Sequence, residues 1–202
     1  MKKFLVAIVA VLFATPLFAQ YNSGGFSLNE STVYYGIRIG LNVANISGDT
    51  EGFCTGAKSG FNFGSVIGLR VSDSTPVFLE SGLYYTERGS KEGKSKIGLT
   101  YLEVPILIKY GIAATDDIAI LPYIGPTFGL GIAGKEKPGN ISSFSKEGGF
   151  SRPDVGIKVG CGAEYNKLYL EMGYQFGMSN ISRNEDITIH GNALYVNFGV
   201  NF

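Results

Sequence analysis

From residue 34 onward, the chain is a succession of segments in which apolar and polar residues alternate with a period of two. This period predicts β-strands that have one apolar and one polar face. Most of the segments run about 9 to 13 residues, enough for a tilted strand to cross a bilayer and more than the ~5 or 6 residues of an ordinary strand. We predict eight strands, with cores at Tyr34–Ala44, Gly60–Val71, Val77–Arg88, Thr100–Ile112, Ile118–Ala133, Val155–Tyr165, Leu168–Met178 and Leu194–Phe202.

The predicted connections alternate in length. Those after the second, fourth and sixth strands are short, at 72–76, 113–117 and 166–167. Those after the odd-numbered strands are long and polar, and the longest, Gly134–Asp154, contains Lys135, Glu136, Lys137, Ser142, Ser143 and Ser145. Short turns on one side and long loops on the other are typical of outer-membrane barrels with periplasmic turns. We therefore predict an all-β, eight-stranded antiparallel transmembrane barrel over residues 34–202, with extracellular loops.

Alternation alone also fits a soluble lipocalin-like barrel, whose apolar face points inward. Two features favour the membrane barrel. The polar face carries most of the strand glycines, which a narrow lumen needs and a solvated exterior does not: Gly36, Gly40, Gly64, Gly68, Gly125, Gly129, Gly160, Gly162 and Gly173. Aromatic residues on the apolar face fall near both strand ends, as in membrane-interface belts, with Tyr35, Tyr110, Tyr165 and Phe202 at one end and Phe61, Tyr85 and Phe128 at the other.

The same alternation sends four basic and four acidic side chains into the lumen. They are Arg38, Arg70, Lys109 and Lys158 with Glu80, Glu103, Glu164 and Glu171. Unpaired charges in a narrow interior are costly, so this balance predicts a structural network with Asn, Gln and Tyr. We expect a lumen filled with side chains. A porin-like channel is disfavoured because porins use about 16 strands to leave an aqueous path.

The N-terminus has the parts of a secretory signal: Lys2 and Lys3, an apolar run from Phe4 to Ala14, and small residues up to Ala19. We predict cleavage after Ala19, with residues 20–33 forming a periplasmic lead-in. The alternative, a retained anchor, is disfavoured because the apolar run is shorter than a spanning helix and Pro16 interrupts it. The chain has 17 basic and 17 acidic residues, so no nucleic-acid partner is indicated.

Several stretches together resemble the PorT-like outer-membrane β-barrel family of Bacteroidetes. They are Gly36–Asn45, Phe78–Gly89, Tyr101–Tyr110, Tyr123–Pro126 and the closing strands from Asp154, and Tyr101-Leu-Glu-Val-Pro105 is the most specific. The resemblance covers residues 34–202 and implies an outer-membrane barrel of a Gram-negative bacterium without assigned enzymatic activity. The family's namesake is associated with secretion of proteins to the cell surface. The shared residues build the barrel, so the resemblance does not transfer that role.

The C-terminal strand ends on Phe202, with Phe198 and Val200 on the same face. This pattern looks like the signal by which such barrels are delivered to the insertion machinery. We therefore expect the insertion machinery and outer-membrane lipid as partners.

Candidate chemistry is sparse. His190 is the only histidine and falls in the last long loop or at the edge of the eighth strand. We weigh it with Asp186 or Glu185 as a catalytic group against a solvated loop residue, which we favour because no motif surrounds it. Cys54 and Cys161 are the only cysteines; a disulfide is disfavoured because one falls in a loop and the other in mid-strand. The loop acids Asp49 and Glu51 lack the later ligands of a calcium loop. We predict no catalytic residues, metal or cofactor.

These observations favour a non-enzymatic barrel that is structural or accessory to envelope or secretion assemblies, with envelope or secretion-system proteins as partners. A surface-binding protein or adhesin that uses the extracellular loops is the alternative, because loops on a rigid barrel are a natural recognition surface. A loop-borne enzyme or small channel ranks lowest.

Overall fold

The computed structural model of the chain describes residues 33–48, 56–72, 74–93, 95–115, 117–137, 139, 141–145, 149–184 and 187–202. The predicted signal segment 1–19 and residues 20–32 of the predicted lead-in lie outside the described residues. The described strands are β1 (Val33–Gly48), β2 (Lys58–Arg70), β3 (Val77–Glu92), β4 (Ser95–Tyr110), β5 (Ile112–Ala113), β6 (Ile118–Lys137), β7 (Pro153–Tyr165), β8 (Leu168–Gly177) and β9 (Ile189–Asn201).

The eight long strands close into one antiparallel barrel. Each long strand pairs with the next long strand in sequence, including β4 with β6, and β1 pairs with β9. None of the long strands described here is therefore left at an open edge. The two-residue β5 pairs with the start of β6 beside the turn. The predicted eight-stranded antiparallel barrel is therefore confirmed.

In the described part of the chain, no helix has the length and apolar character needed to cross a membrane.

The barrel has two unlike ends. We call one the turn end, because it carries the short connections 71–76, 111–117 and 166–167 together with Phe202. The opposite end, the loop end, carries the connections 49–57, 93–94, 138–152 and 178–188. Asn166, the first residue of the 166–167 turn, has a φ of 54°, a left-handed conformation that Asn tolerates better than most residues.

One connection at the loop end was predicted wrongly. Residues 93–94 alone join β3 to β4, where we expected a long loop, and β6 continues to Lys137 through residues that we placed in the longest loop. The backbone ladder simply continues here, with Lys91 opposite Lys96 and Lys96 opposite Lys137. In these strand extensions the outward face carries polar residues, so apolar and polar residues no longer alternate and the predicted strands ended too early.

The outward face of the wall is a continuous exposed belt of apolar side chains. Leu41 is 65% exposed and Met172 is 59% exposed. Other exposed members, from every long strand, include Ile37, Ile39, Phe63, Ile67, Tyr85, Val104, Ile108, Ile124, Phe128, Leu130, Val159, Leu170, Phe176, Val196 and Phe198. Monomeric soluble proteins rarely expose so large an apolar surface, whereas a barrel embedded in lipid requires it. The polar face points inward, so the lipocalin-like alternative is excluded.

Candidate functional site: the filled lumen and its cap

A first group of buried charges fills the lumen near the turn end and centres on Glu80. One carboxylate oxygen of Glu80 lies 2.8 Å from the Lys109 ammonium. The other accepts a hydrogen bond of 2.7 Å from the Tyr34 hydroxyl and lies 3.8 Å from Nη2 of Arg38. We call this group, with its neighbours, the turn-end charge cluster: Tyr34, Arg38, Glu80, Lys109, Glu164, Tyr169, Glu171, Asn197 and Asn201.

The remaining members of the turn-end charge cluster tie it to the opposite wall. Arg38 donates to the amide oxygen of Asn201 at 2.6 Å, and the amide nitrogen of Asn201 donates to Glu164 at 2.6 Å. The Lys109 ammonium donates to the Tyr169 hydroxyl at 2.8 Å. The Arg38 guanidinium also lies 4.0 Å from the centre of the Tyr169 ring, which is cation–π geometry. The cluster thus spans the barrel from wall to wall.

A second group, the loop-end charge cluster, centres on Arg88 and Glu103. Nη2 of Arg88 donates to Glu103, and Nη1 donates to Asp154 at 2.8 Å. The same Nη2 donates to the side-chain oxygen of Gln175 at 2.7 Å. The other oxygen of Glu103 lies 2.5 Å from the Lys158 ammonium. All four charged side chains are buried, so two cations face two anions in a small volume.

Tyrosines separate the two clusters. The hydroxyls of Tyr123 and Tyr195 lie 2.9 Å apart in a hydrogen bond. The Tyr123 ring centre is 5.2 Å from the Lys109 ammonium of the turn-end cluster, and the Tyr195 ring centre is 5.0 Å from the Lys158 ammonium of the loop-end cluster. Neutral aromatic rings therefore contact the charges from both sides of the mid-lumen.

Glycines make room for these rings. Four lumen tyrosines stand directly opposite a glycine in the strand register: Tyr34 with Gly68, Tyr84 with Gly64, Tyr123 with Gly160, and Tyr195 with Gly173. A Cβ atom at any of these glycines would overlap the facing phenol ring. The alternation of absent and large side chains is how a narrow barrel packs its interior.

Above the loop-end charge cluster, strand ends and loops pack into an apolar plug that we call the cap. It contains Ile46, Leu99, Tyr101, Phe144, Phe150, Ile181 and Ile189, with Ile97 and Ile187 packed against them. The rings of Phe144 and Tyr101 meet edge to face at 5.8 Å. Backbone hydrogen bonds join the two capping loops, from Ser151 to Ile181 at 2.9 Å and from Arg183 to Gly149 at 2.8 Å. The cap closes the loop end over the buried charges.

Two cavities in the lumen are each about 10 Å³ in volume. One lies between the cap and Arg88, and the other is lined by Asn42, Asn62 and Asn197. A cavity of this size holds about one water molecule. Among the described residues, the side-chain oxygens of these three asparagines are buried without a hydrogen-bond partner, and one water there could donate to two of them.

The structure places seven of the eight predicted lumen charges inside the two clusters: Arg38, Glu80, Lys109, Glu164 and Glu171 near the turn end, and Glu103 and Lys158 near the loop end. Arg70 is half-buried at the turn end, where its Nε donates to the carbonyl oxygen of Ser72 at 2.7 Å. Phe198 and Phe202 are on the outward face, 49% and 62% exposed, with the side chain of Val200 between them on the same face.

Sequence reasoning missed two central charges, Arg88 and Asp154. Arg88 lies on the same inward face of β3 as Glu80 and Tyr84. Asp154 lies on the same inward face of β7 as Lys158. The signal was present for Arg88, which is the last residue of the predicted third strand and was not assigned to a face. Asp154 directly precedes the predicted sixth strand, and extending that strand to its observed start assigns Asp154 to the lumen.

The candidate catalytic and cysteine residues are scattered. His190 lies at the start of β9, the eighth long strand, and its Nδ1 is 3.0 Å from the carbonyl oxygen of Ser179. Its proposed partners Glu185 and Asp186 lie outside the described residues, as do Cys54, Asp49 and Glu51. Cys161 is exposed on the outward face. Among the described residues, no group of three His, Cys, Asp or Glu side chains is arranged to hold a metal ion.

Comparison with known proteins agrees with this architecture. The chain matches the family model "Outer membrane protein beta-barrel domain" over residues 18–183. It is similar to the crystal structure of Neisserial surface protein A, with 18% identity, 83% of this chain and 97% of that chain covered, and a TM-score of 0.53. It is also similar to the outer membrane protein OprG of Pseudomonas aeruginosa, with 13% identity, 88% and 99% coverage, and a TM-score of 0.53. No curated protein matches the chain significantly in sequence.

Proposed function

The chain belongs to the outer membrane protein beta-barrel domain family, and from this membership we propose that it is a sealed, non-enzymatic barrel, structural or accessory to an envelope or secretion assembly. The observation that supports this proposal is the filled lumen. From the turn end to the loop end it holds the turn-end charge cluster, the tyrosines, the loop-end charge cluster and the cap. Such an interior stabilises the barrel and presents no aqueous path, so the protein acts through its outer surfaces.

The sealed lumen is tested in planar bilayers. The purified full chain should give no conductance comparable to that of a porin measured in the same bilayers. A stable porin-like current from single barrels would overturn the sealed-barrel proposal, because ions would then have to pass the buried charge clusters.

The orientation and targeting of the chain belong to the same proposal. Residues 1–19 act as a cleaved export signal, the turn end faces the periplasm, and the loop end is extracellular. Phe198, Val200 and Phe202 present the C-terminal signal to the insertion machinery. The position of all three on the outward face, with Phe198 and Phe202 exposed, supports this role, because an insertion factor can reach side chains there before lipid covers them.

An accessory role in protein export is the finer proposal, and the resemblance to the PorT-like family supports it. The informative experiment is a deletion strain scored for proteins displayed on the cell surface, with the wild-type gene returned as control. Loss of display that the gene restores is the expected result. Normal display in the deletion strain would remove the secretion role and leave a structural one.

The cap supports a second candidate, a surface-binding protein or adhesin. The described parts of its loops are joined by backbone hydrogen bonds and by the Arg183 guanidinium, which donates to the carbonyl oxygen of Phe144 at 3.4 Å. Fixed loops lose little entropy on binding. Pull-down with the full chain separates the candidates: periplasmic or secretion-machinery partners support the accessory role, and extracellular ligands that bind the loops support adhesion.

The non-enzymatic part of the proposal has its own test. His190 is the only histidine and a natural general base, so it is the residue to change. Loss of a hydrolase activity of the pure protein in His190→Ala, with the fold intact, would contradict the non-enzymatic assignment.

A further inference from the structure

Three lysines form one row across three adjacent strands at the loop end. Lys91 of β3 stands opposite Lys96 of β4, and Lys96 stands opposite Lys137 of β6. Residues paired in this way share a face of the sheet, and the three side chains are exposed on the outward face. Neighbouring strands lie ~4.8 Å apart, so the three Cα atoms span ~10 Å. We call these three residues the lysine row.

The surroundings of the lysine row strengthen its positive charge. Lys135 lies two residues before Lys137 on the same face, opposite Gly98. Gly98 in turn stands opposite Gly89, and these two positions, which have no side chain of their own, are in contact with the side chain of Lys58. The result is a basic surface on a chain whose formal net charge is zero.

This arrangement works against folding. Like charges directly opposite each other on neighbouring strands are destabilising. In the part of the chain that the structure describes, none of the three lysines forms an ion pair with an acidic side chain. The nearest described acid on the same face of β3, Glu87, is four residues away and accepts a hydrogen bond from Tyr85. Local conflicts of this kind are most often found where a protein binds something.

The orientation of the lysine row relative to the membrane indicates which ligand it can contact. The row continues the outward, lipid-facing side of β3, β4 and β6, so it looks sideways along the membrane surface rather than upward. Tyr85, Leu102 and Leu130 form the last wholly apolar cross-strand row below it. The lysine row stands about six residues further, or ~20 Å along strands that rise ~3.4 Å per residue. At a tilt of ~45° this is ~14 Å above the apolar band.

Ordinary phospholipid headgroups occupy only ~5 to 8 Å on each side of the hydrocarbon core. Lysine side chains reach back toward the membrane by several ångströms, but a ligand at this height must itself carry phosphates above the acyl boundary. We propose that the lysine row binds the phosphate groups of an anionic glycolipid in the leaflet that surrounds the loop end. The proposal rests on the proposed placement of the loop end at the outer leaflet, and it adds a ligand that the sealed barrel does not require.

The test titrates the detergent-solubilised full chain with a diphosphorylated glucosamine-disaccharide lipid and measures binding by native mass spectrometry. Each lysine near an anionic membrane surface contributes roughly a fivefold change in affinity, so K91Q/K96Q/K137Q should bind on the order of a hundredfold more weakly. The charge-retaining K91R/K96R/K137R and the turn-end variant K167Q should bind within about twofold of wild type. The same lipid without phosphates, and phosphatidylglycerol, should bind weakly to wild type.

Folding is followed in parallel by unfolding in urea. K91Q/K96Q/K137Q should be as stable as wild type or more so, because it removes like-charge repulsion. Equal glycolipid binding by this variant overturns the proposal. A loss of stability that accompanies the loss of binding overturns it too, since the row would then be structural. Equally tight binding of soluble inositol hexaphosphate would show a site for free polyanions rather than a membrane lipid. Glycolipid binding measured in detergent depends neither on conductance nor on the orientation of the barrel in cells. A negative result in this assay can therefore be distinguished from failure of the proposed function.

Discussion

Tyr84 stands directly opposite Gly64 in the register of β2 and β3, and its ring fills the space that a side chain at Gly64 would need. The same relationship recurs at three other lumen tyrosines, so the glycines of the inward face are a packing requirement. Because these glycines have no side chain, the narrow lumen has room for the tyrosine rings.

Gly64→Val should destabilise the barrel by about 1 to 3 kcal/mol, because the new side chain overlaps the Tyr84 ring. The free energy of unfolding in urea, with the protein refolded into lipid vesicles, measures this. The neighbouring Ser65→Val places the same side chain on the outward face and should be neutral. Adding Tyr84→Ala should relieve part of the loss, and no relief would show that the ring is not the obstacle.

Glu103→Gln should cost about 3 to 5 kcal/mol, because it leaves the buried Arg88 and Lys158 cations without their shared anion. Glu87→Gln, on the outward face of β3, is the matched control and should change stability by less than about 0.5 kcal/mol. Equal effects of the two substitutions in urea unfolding would mean that the loop-end charge cluster contributes nothing specific.

Phe144→Ala should loosen the cap by about 3 kcal/mol while the strands remain paired, because Phe144 packs edge to face on Tyr101. Limited proteolysis should then cut residues 138–152 faster than in wild type. Ile141→Ala, in the same loop at a position that is 36% exposed, should leave the cleavage rate nearly unchanged. Conductance should stay absent in both variants because the charge clusters lie beneath the cap. A current that appears with Phe144→Ala would make the cap the sole barrier.

Met172→Arg should destabilise the barrel by about 2 to 4 kcal/mol in vesicles, because Met172 lies midway along β8 on the lipid face and is 59% exposed. Leu168→Arg, at the turn end of the same strand, should cost about 0 to 1 kcal/mol because its charge can reach the interface. A similar cost at both positions would contradict the depth assigned to β8.

The period of two was enough to predict the strands, the inward face and most of the lumen charges. Lys158 and Glu171 could be assigned because each lies inside a long, regular alternation. Arg88 and Asp154 were missed because each lies at the limit of a predicted strand, where the strands leave the apolar band and polar residues occupy both faces.

The cap was beyond sequence reasoning for a different physical reason. Phe144 and Phe150 lie in a segment without periodicity, and their burial depends on contacts with Ile181 from another loop. The polar residues around them suggested a solvated loop, yet Ser143 is fully buried and donates to the carbonyl oxygen of Gly98 at 3.2 Å. Contacts between loops distant in sequence leave no local pattern.

The pairing of β1 with β9 has a consequence for the order of events during synthesis. Arg38 and Asn201, which meet across this seam, are 163 positions apart, so the seam cannot form until nearly the whole chain has been made. Contacts between such distant residues fold slowly, and until closure the first and last strands are both unprotected edges. The seam between β1 and β9 is therefore the last part of the barrel to close, and before closure the sheet has two open edges at which another chain could pair.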